Sequence, residues 1–425
     1  MRNETQDAFP QMEIMPFATL VDEPIRIRAT GFPAEQPIRL RAHLPTKFGS
    51  LESFALFQTD GTGCIDVARA VPLRGTYRVV DPMGLFWSMT KVEGTSSAVP
   101  AGLLGTVTLT AEMEGKVLAL ASCQRSWYVE ASMTRVSVRE HGLVGTFFHP
   151  CGSGPFPAVI VLGGGEGGLD VQECFAALLA THGYATLGLA YFGMEQLPPH
   201  LAEIPLDYSE TALQWLQAQE CVQASNIGVI GGSAGGELAL LMGANFPAIR
   251  AVVGFAASGV IYQRIGPYAG SPRARWTYRG MPLPFVSFKE DLKYRLESGW
   301  KHLTGQPQAA ALLYLASLHD PHLVDKATIP VEKIQGPVLL ISGSDDQVWP
   351  SSLLSERVIQ RLKRFGHPYA DQHLCYEGAG HAIHLPYLPT IGRTTALSGS
   401  LSRDAAASVD AWPHLLTFLE KTLKE

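Results

Sequence analysis

Two domains are expected of this chain: an N-terminal all-β sandwich over residues 1–135, and an α/β domain over 136–425 with a mostly parallel sheet and helices on both faces. Three observations predict them. A chain of 425 residues exceeds what one ordinary core accommodates. Its first third carries short alternating runs divided by turn clusters, with little helical period. Beyond that, apolar β-branched runs alternate with helix-length stretches, the pattern of parallel strands joined by crossover helices.

In the first domain the runs are Ile25–Ala29, Ile38–Ala42, Tyr77–Val80 and Thr106–Thr110, separated by clusters such as Gly31-Phe32-Pro33 and Asp60-Gly61-Thr62-Gly63. Strands at this spacing fit a sandwich. Arginines on alternate positions of the first two runs read most simply as its solvated face. In the second domain, strands are expected at His141–Phe148, Ala158–Leu162, Ala185–Leu189, Ile227–Ile230, Ala251–Phe255 and Val338–Ser342. Helices are expected at Gln172–His182, Ser209–Gln219, after Ser233, at Ser352–Phe365 and at Ala406–Leu423. The stretch from about 263 to 325, rich in proline, aromatic and basic residues, interrupts the alternation and reads as a lid-like excursion over the sheet.

Composition narrows the function. With 46% hydrophobic and 17% charged residues the chain can bury sizeable cores, and a net charge of −6 gives no electrostatic basis for nucleic-acid binding. The six cysteines form no C-x-x-C pair and read as buried reduced thiols. Residues 1–22 lack a charged-then-apolar signal pattern. No apolar run reaches the ~18 residues of a membrane span, and no peroxisomal address closes the chain. A cytoplasmic location is the expectation.

The chemistry centres on Ile227-Gly228-Val229-Ile230-Gly231-Gly232-Ser233-Ala234-Gly235-Gly236. A β-branched run, then G-x-S-x-G, then a helix-forming run is the nucleophile elbow of an α/β-hydrolase. Its serine sits on a strained turn, and the helix start presents the Ala234 N–H to a developing oxyanion. A serine nucleophile needs a base, and the base an orienting acid, which this fold places later in the order Ser, Asp/Glu, His. Asp346 follows the apolar run Val338–Ser342 and is preferred over its neighbour Asp345. His381, in Gly378-Ala379-Gly380-His381, is the base candidate, with His384 as its rival and His373 lying before the turn. The run Gly163-Gly164-Gly165-Glu166 after Ala158–Leu162 fits the second oxyanion donor, because consecutive glycines let backbone N–H groups converge.

The residues resemble one family over nearly the whole length. Gly75-Thr76-Tyr77-Arg78-Val79-Val80-Asp81-Pro82-Met83-Gly84-Leu85-Phe86-Trp87 is similar to the N-terminal signature of the acyl-CoA thioesterase / bile acid-CoA:amino acid N-acyltransferase family. Further matches are Gly154-Pro155-Phe156-Pro157, Leu189-Ala190-Tyr191, Tyr278-Arg279-Gly280, Asp345-Asp346 with Trp349, Ala379-Gly380-His381, Pro386-Tyr387 and Asp410-Ala411-Trp412. The resemblance implies Ser233 as nucleophile, Asp346 as acid and His381 as base. It also implies that members with cysteine at the elbow favour conjugation to an amino acid. This chain departs from the animal pattern: Ala234 stands where a basic residue follows the nucleophile, and His384 where a glutamate is usual. Glu166 resembles bacterial members. A carboxylate facing an oxyanion opposes catalysis, so Glu166 is expected to point away.

These observations lead to a serine-dependent hydrolase of acyl thioesters, acyl-CoA above all, with Ala234, Gly164, Gly165 and Glu166 supplying the oxyanion hole. No metal or redox cofactor is implied, and the partner is a small-molecule substrate. Arg273, Arg275 and Arg279 are candidates to meet the phosphates of such a substrate, with a solvated basic lid as the equal alternative. Transfer to an amine, a plain carboxylester hydrolase, and a non-catalytic binding protein on a hydrolase scaffold are the rival readings.

Overall fold

In the computed structural model residues 9–46, 49–92, 103–264, 272–288, 309–389 and 399–425 are described, together with Trp300 and Thr304. The chain divides into two units, one holding Met1–Glu130 and the stretch beginning at Leu385, the other holding Ala131–His384 and the C-terminal segment. The division comes a few residues before the expected one because Met133–Val138 is a strand of the second unit's sheet.

The first unit is built from β1 (Gln11–Met15), β2 (Ala18–Leu20), β3 (Arg26–Thr30), β4 (Pro37–Thr46), β5 (Gly49–Gln58), β6 (Ile65–Asp66), β7 (Arg74–Gly75), β8 (Thr90–Val92), β9 (Leu103–Met113) and β10 (Lys116–Ser126). One sheet has the order β1-β3-β6, the other β2-β10-β9-β4-β5-β7 with β8 on β5. Burial alternates along β4 and β5, so each gives one face to the core. The outward arginines are paired across strands: Arg41 with Glu112 and Glu52, and Arg26 with Asp66. Tyr77–Val80 is not a strand. Its tyrosine ring instead covers Gly84, where an added Cβ would lie 2.1 Å from the ring, and meets Trp87 edge-on. The motif residues form a buried turn of helix, α1 (Gly84–Trp87), pinned by Asp81, which accepts from the Met83 N–H at 2.7 Å and from the Trp87 indole at 2.8 Å.

The second unit holds one sheet in the order β11 (Met133–Val138), β12 (Val144–Pro150), β14 (Ala185–Ala190), β13 (Phe156–Leu162), β16 (Val222–Gly232), β17 (Ile249–Phe255), β20 (Val338–Gly343), β21 (Gln372–Tyr376). From β14 to β21 all pairings are parallel, while β11 and β12 run antiparallel at one edge. Strands β14 and β20 are buried along their whole length, as parallel strands covered on both faces must be. Helices α2 (Asp170–Thr181), α3 (Leu206–Gln217) and α4 (Ala234–Asn245), with the later helices Ser351–Arg364 and Leu401–Leu423, are the long helices of the unit among the described residues. His141 lies in a turn with φ +54°, so β12 starts later than expected.

The excursion contributes β18 (Trp276–Tyr278) and β19 (Met281–Pro282) to a small sheet that β15 (Ile204–Pro205), just ahead of α3, completes. Much of the expected lid, residues 265–271 and 289–299, lies outside the described residues. No helix among the described residues is long and apolar enough to cross a membrane. None of the six cysteines is in a disulfide, but only Cys123 is buried and Cys151 and Cys375 are exposed, which corrects the expectation that all are buried. Cys151 follows the end of β12, and Cys375 lies on β21 at the sheet edge, where one flank has no covering strand.

Candidate active site

Parallel pairing in register brings five strand ends to one edge of the sheet. Leu162 pairs with Gly231, Gly232 with Phe255, Phe255 with Ile341, and Gly343 with Tyr376. The loops leaving β13, β16, β20 and β21 therefore open side by side at the carboxyl ends of the strands, where open α/β sheets bind ligands.

The elbow follows β16. Ser233 has φ +53° and ψ −118°, a conformation that an L-residue holds only when its surroundings enforce it. The surroundings do so through close backbone approach. A Cβ at Gly231 would lie 2.0 Å from the Gly235 carbonyl oxygen, and a Cβ at Gly235 would lie 2.2 Å from that of Gly163. At Gly232 nothing lies within 4 Å, so that glycine is not sterically required. Ser233 donates its N–H to the Phe255 carbonyl at 2.8 Å, and its carbonyl accepts from Gly236 and Glu237 to start α4. Ala234, the first residue of that helix, carries one of the N–H groups that no intrahelical acceptor can satisfy.

The loops after β20 and β21 bring Asp346 and His381 together, with His381 Nδ1 2.7 Å from Asp346 Oδ2. The Asp346 side chain is 1% exposed. Its other oxygen accepts from the Val348 and Trp349 N–H groups at 2.9 and 3.3 Å, which fixes the carboxylate and leaves one lone-pair edge for the imidazole. Asp345 is exposed and takes a hydrogen bond from Gln347 instead. Gly343 permits the approach of the two loops, since a Cβ there would lie 2.2 Å from the Ala379 carbonyl oxygen. Of the other histidines, His373 is engaged by the Ser342 hydroxyl at 2.8 Å, and its burial holds its pKa below the ordinary value. His384 donates its backbone N–H to Ser408 Oγ at 3.2 Å.

The glycine loop after β13 stands against the elbow. A Cβ at Gly164 would lie 3.3 Å from Ser233 Cβ. Tyr191, fully buried, donates its hydroxyl to the Gly163 carbonyl at 2.7 Å, and burial raises its pKa well above the ordinary phenol value. The expectation that Glu166 points away is corrected. Its side chain folds back, and Oε1 accepts from the Gly164 N–H at 2.9 Å. The loop supplies an N–H donor and the nearest anion takes it.

The three arginines separate. Arg275 is 0% exposed and pairs at 3.0 Å with Glu237, itself 0% exposed, so it has no free charge to offer a phosphate. Arg273 is exposed and lies 3.3 Å from Glu203; Arg279 is exposed and sits over the Tyr278 ring. Several residues that shape the site escape a sequence reading. Glu237 is the lone charge on α4, a helix buried all round, and that contrast is a legible signal of a buried partner. Trp276 donates its indole N–H to the same carboxylate at 2.5 Å, and burial pushes the Glu237 carboxyl up to about 7. Trp349 meets the His381 ring edge-on and donates to the Ala256 carbonyl at 2.8 Å. Asp404, from the C-terminal helix, accepts from the Gly380 N–H beside His381 at 2.5 Å; nothing in the sequence near His381 announces it.

Comparison with known proteins agrees along the chain. Residues 22–140 match the acyl-CoA thioester hydrolase/BAAT N-terminal region, and residues 204–425 match the BAAT / acyl-CoA thioester hydrolase C-terminal region. An acyl-coenzyme A amino acid N-acyltransferase 1 of Mus musculus is 32% identical over 96% of both chains. An acyl-coenzyme A thioesterase 1 of Rattus norvegicus is 31% identical over 95% of this chain and 94% of its own. A peroxisomal succinyl-coenzyme A thioesterase of Mus musculus is 30% identical over 95% and 94%. The chain belongs to the acyl-CoA thioester hydrolase/BAAT family.

Proposed function

We propose that the protein hydrolyses an acyl thioester, acyl-CoA above all, through an acyl-enzyme on Ser233. Family membership supports hydrolase-type chemistry on acyl thioesters in general. The observation that carries the finer reading is the Asp346–His381 pair at 2.7 Å, on loops that open at the same strand ends as the strained Ser233. In this reading His381 takes the Ser233 proton as Oγ attacks the thioester carbonyl, and Asp346 stabilises the imidazolium. N–H groups of Ala234 and the Gly164 loop hold the oxyanion, and His381 returns the proton to the departing thiolate. Water then attacks the acyl-enzyme with His381 as base, releasing the acid and restoring Ser233.

The relatives include both thioesterases and amino acid N-acyltransferases, so the fate of the acyl group is decided at the second step. A serine ester at the elbow favours water over an amine present at millimolar concentration, whereas a cysteine thioester stays reactive toward amines. Free thiol release from a panel of acyl-CoA esters by wild type and Ser233→Ala tests the mechanism. Turnover should fall at least ~10³-fold in the variant. Mass spectrometry of products with added glycine or taurine tests the acceptor, with free acid expected to dominate in both.

A further inference from the structure

An oxyanion site lined by backbone N–H groups attracts any anion, and thioester hydrolysis makes one. As the acyl-enzyme breaks down, the water oxygen bonds to the acyl carbon and the acyl–Oγ bond breaks. One water proton returns to Ser233 through His381. The other stays on the acid and is lost to solvent near neutral pH, since a carboxyl ordinarily titrates at about 4. The product is then a carboxylate beside donors arranged for negative charge, and product retention is the chemical hazard of such a site.

The structure already places a carboxylate there. Glu166 Oε1 accepts from the Gly164 N–H at 2.9 Å. A Cβ built on Gly164 would meet Glu166 Oε2 at 2.7 Å and Ser233 Cβ at 3.3 Å, so carboxylate and nucleophile border the same point in space. The backbone is the fixed part: the Tyr191 hydroxyl reaches the Gly163 carbonyl at 2.7 Å and that of Gly164 at 3.3 Å. The side chain is the movable part, because Glu166 is exposed and rotation about its own bonds carries the carboxylate into water.

We propose that Glu166 is a specificity-determining residue that displaces product, its carboxylate competing with the carboxylate of the released acid for the Gly164 N–H. The proposal rests on the serine-hydrolase reading above. Competition falls unequally on the reacting species. The tetrahedral oxyanion is covalently tethered to Ser233, so its effective concentration at the donors is very high. The free acid has no tether, and it is repelled by a like charge that stays close by even when displaced. Glu166 thereby penalises the product more than the transition state, and a neutral product would feel no such penalty.

The test uses Glu166→Gln, which keeps the shape and an acceptor oxygen but removes the charge, beside Glu166→Ala. Octanoate serves as the carboxylate probe, its affinity measured by calorimetry so that the readout is independent of turnover. Ser233 labelling by a fluorophosphonate is followed in the same preparations. The expected result is at least tenfold tighter octanoate binding in both variants, competitive with acyl-CoA, with Ser233 labelled in all three proteins. Labelled Ser233 with octanoate affinity unchanged or weaker in both variants overturns this inference alone. Folded wild type that does not label at Ser233 overturns the hydrolase reading, and the inference with it.

Discussion

Two glutamates flank the elbow and are held in opposite ways. Glu237, one turn into α4, lies in the interior with both oxygens engaged by Arg275 and Trp276. Glu166, on the glycine loop, is exposed and holds a single backbone N–H. The difference teaches where a charge near an active site is structural and where it is available. A buried carboxylate must be paired, and Arg275 and Trp276 together clasp α4 to the start of the excursion strand β18. An exposed carboxylate pays little to change partner, so it can respond to what enters the site.

The largest effect that sharpens this contrast concerns a second pair of acids. Asp346→Asn should cut kcat by a factor of ~10² to 10⁴, because the group that orients His381 is lost. Asp345→Asn should change it less than threefold, as a surface turn residue does. The reverse ranking in steady-state thiol release would make Asp345 the orienting acid in place of Asp346.

Next in size is stability. Glu237→Ala leaves Arg275 buried and unpaired and should cost about 3–5 kcal/mol in denaturant unfolding. Glu166→Ala should stay within about 0.5 kcal/mol of wild type. Equal losses would abolish the distinction between clasp and movable group.

A smaller effect is the pH dependence of stability. Burial raises the Glu237 carboxyl to about 7, while an unfolded glutamate titrates near 4.3. Between these values the folded chain retains a proton that the unfolded chain has lost. The contribution is therefore fully present below about 4.3 and is lost as pH rises through the folded value. Measured against Glu237→Gln, wild type should lose stability as pH rises across this window, and parallel profiles would show that Glu237 does not titrate there.

The smallest effect belongs to the exposed arginines. Arg273→Ala and Arg279→Ala should raise KM for acyl-CoA by about two- to fivefold, the scale of exposed ion pairs, while short nitrophenyl esters are unaffected. Equal changes on both substrates would make these arginines structural.

Much of this architecture can be read in the sequence because its causes are local. The runs Ala185–Ala190 and Val338–Gly343 are buried throughout and mostly apolar since both sheet faces are covered, and Gly231 and Gly235 stand at the elbow because backbone must pass backbone there. Tyr77–Val80 misleads for an equally physical reason. Its alternation matches a strand, but the tyrosine is spent on capping Gly84 and Trp87 rather than on a sheet face. Long-range partners stay hidden. Arg275 looks like a solvated basic residue until α4 supplies Glu237, and Asp404 reaches Gly380 from a distant helix. Glu166 misleads most, because its side chain folds back and takes the Gly164 N–H, a partner two residues away that charge repulsion alone does not foretell.

The central claim is that Ser233 is the nucleophile of an acyl thioester hydrolase. The most direct measurement is peptide mapping after brief exposure of the folded protein to a fluorophosphonate, with and without acyl-CoA as competitor. The account predicts a single adduct on Ser233, suppressed by acyl-CoA and lost together with thiol release in Ser233→Ala. Protein that releases thiol from acyl-CoA while Ser233 remains unlabelled would contradict it.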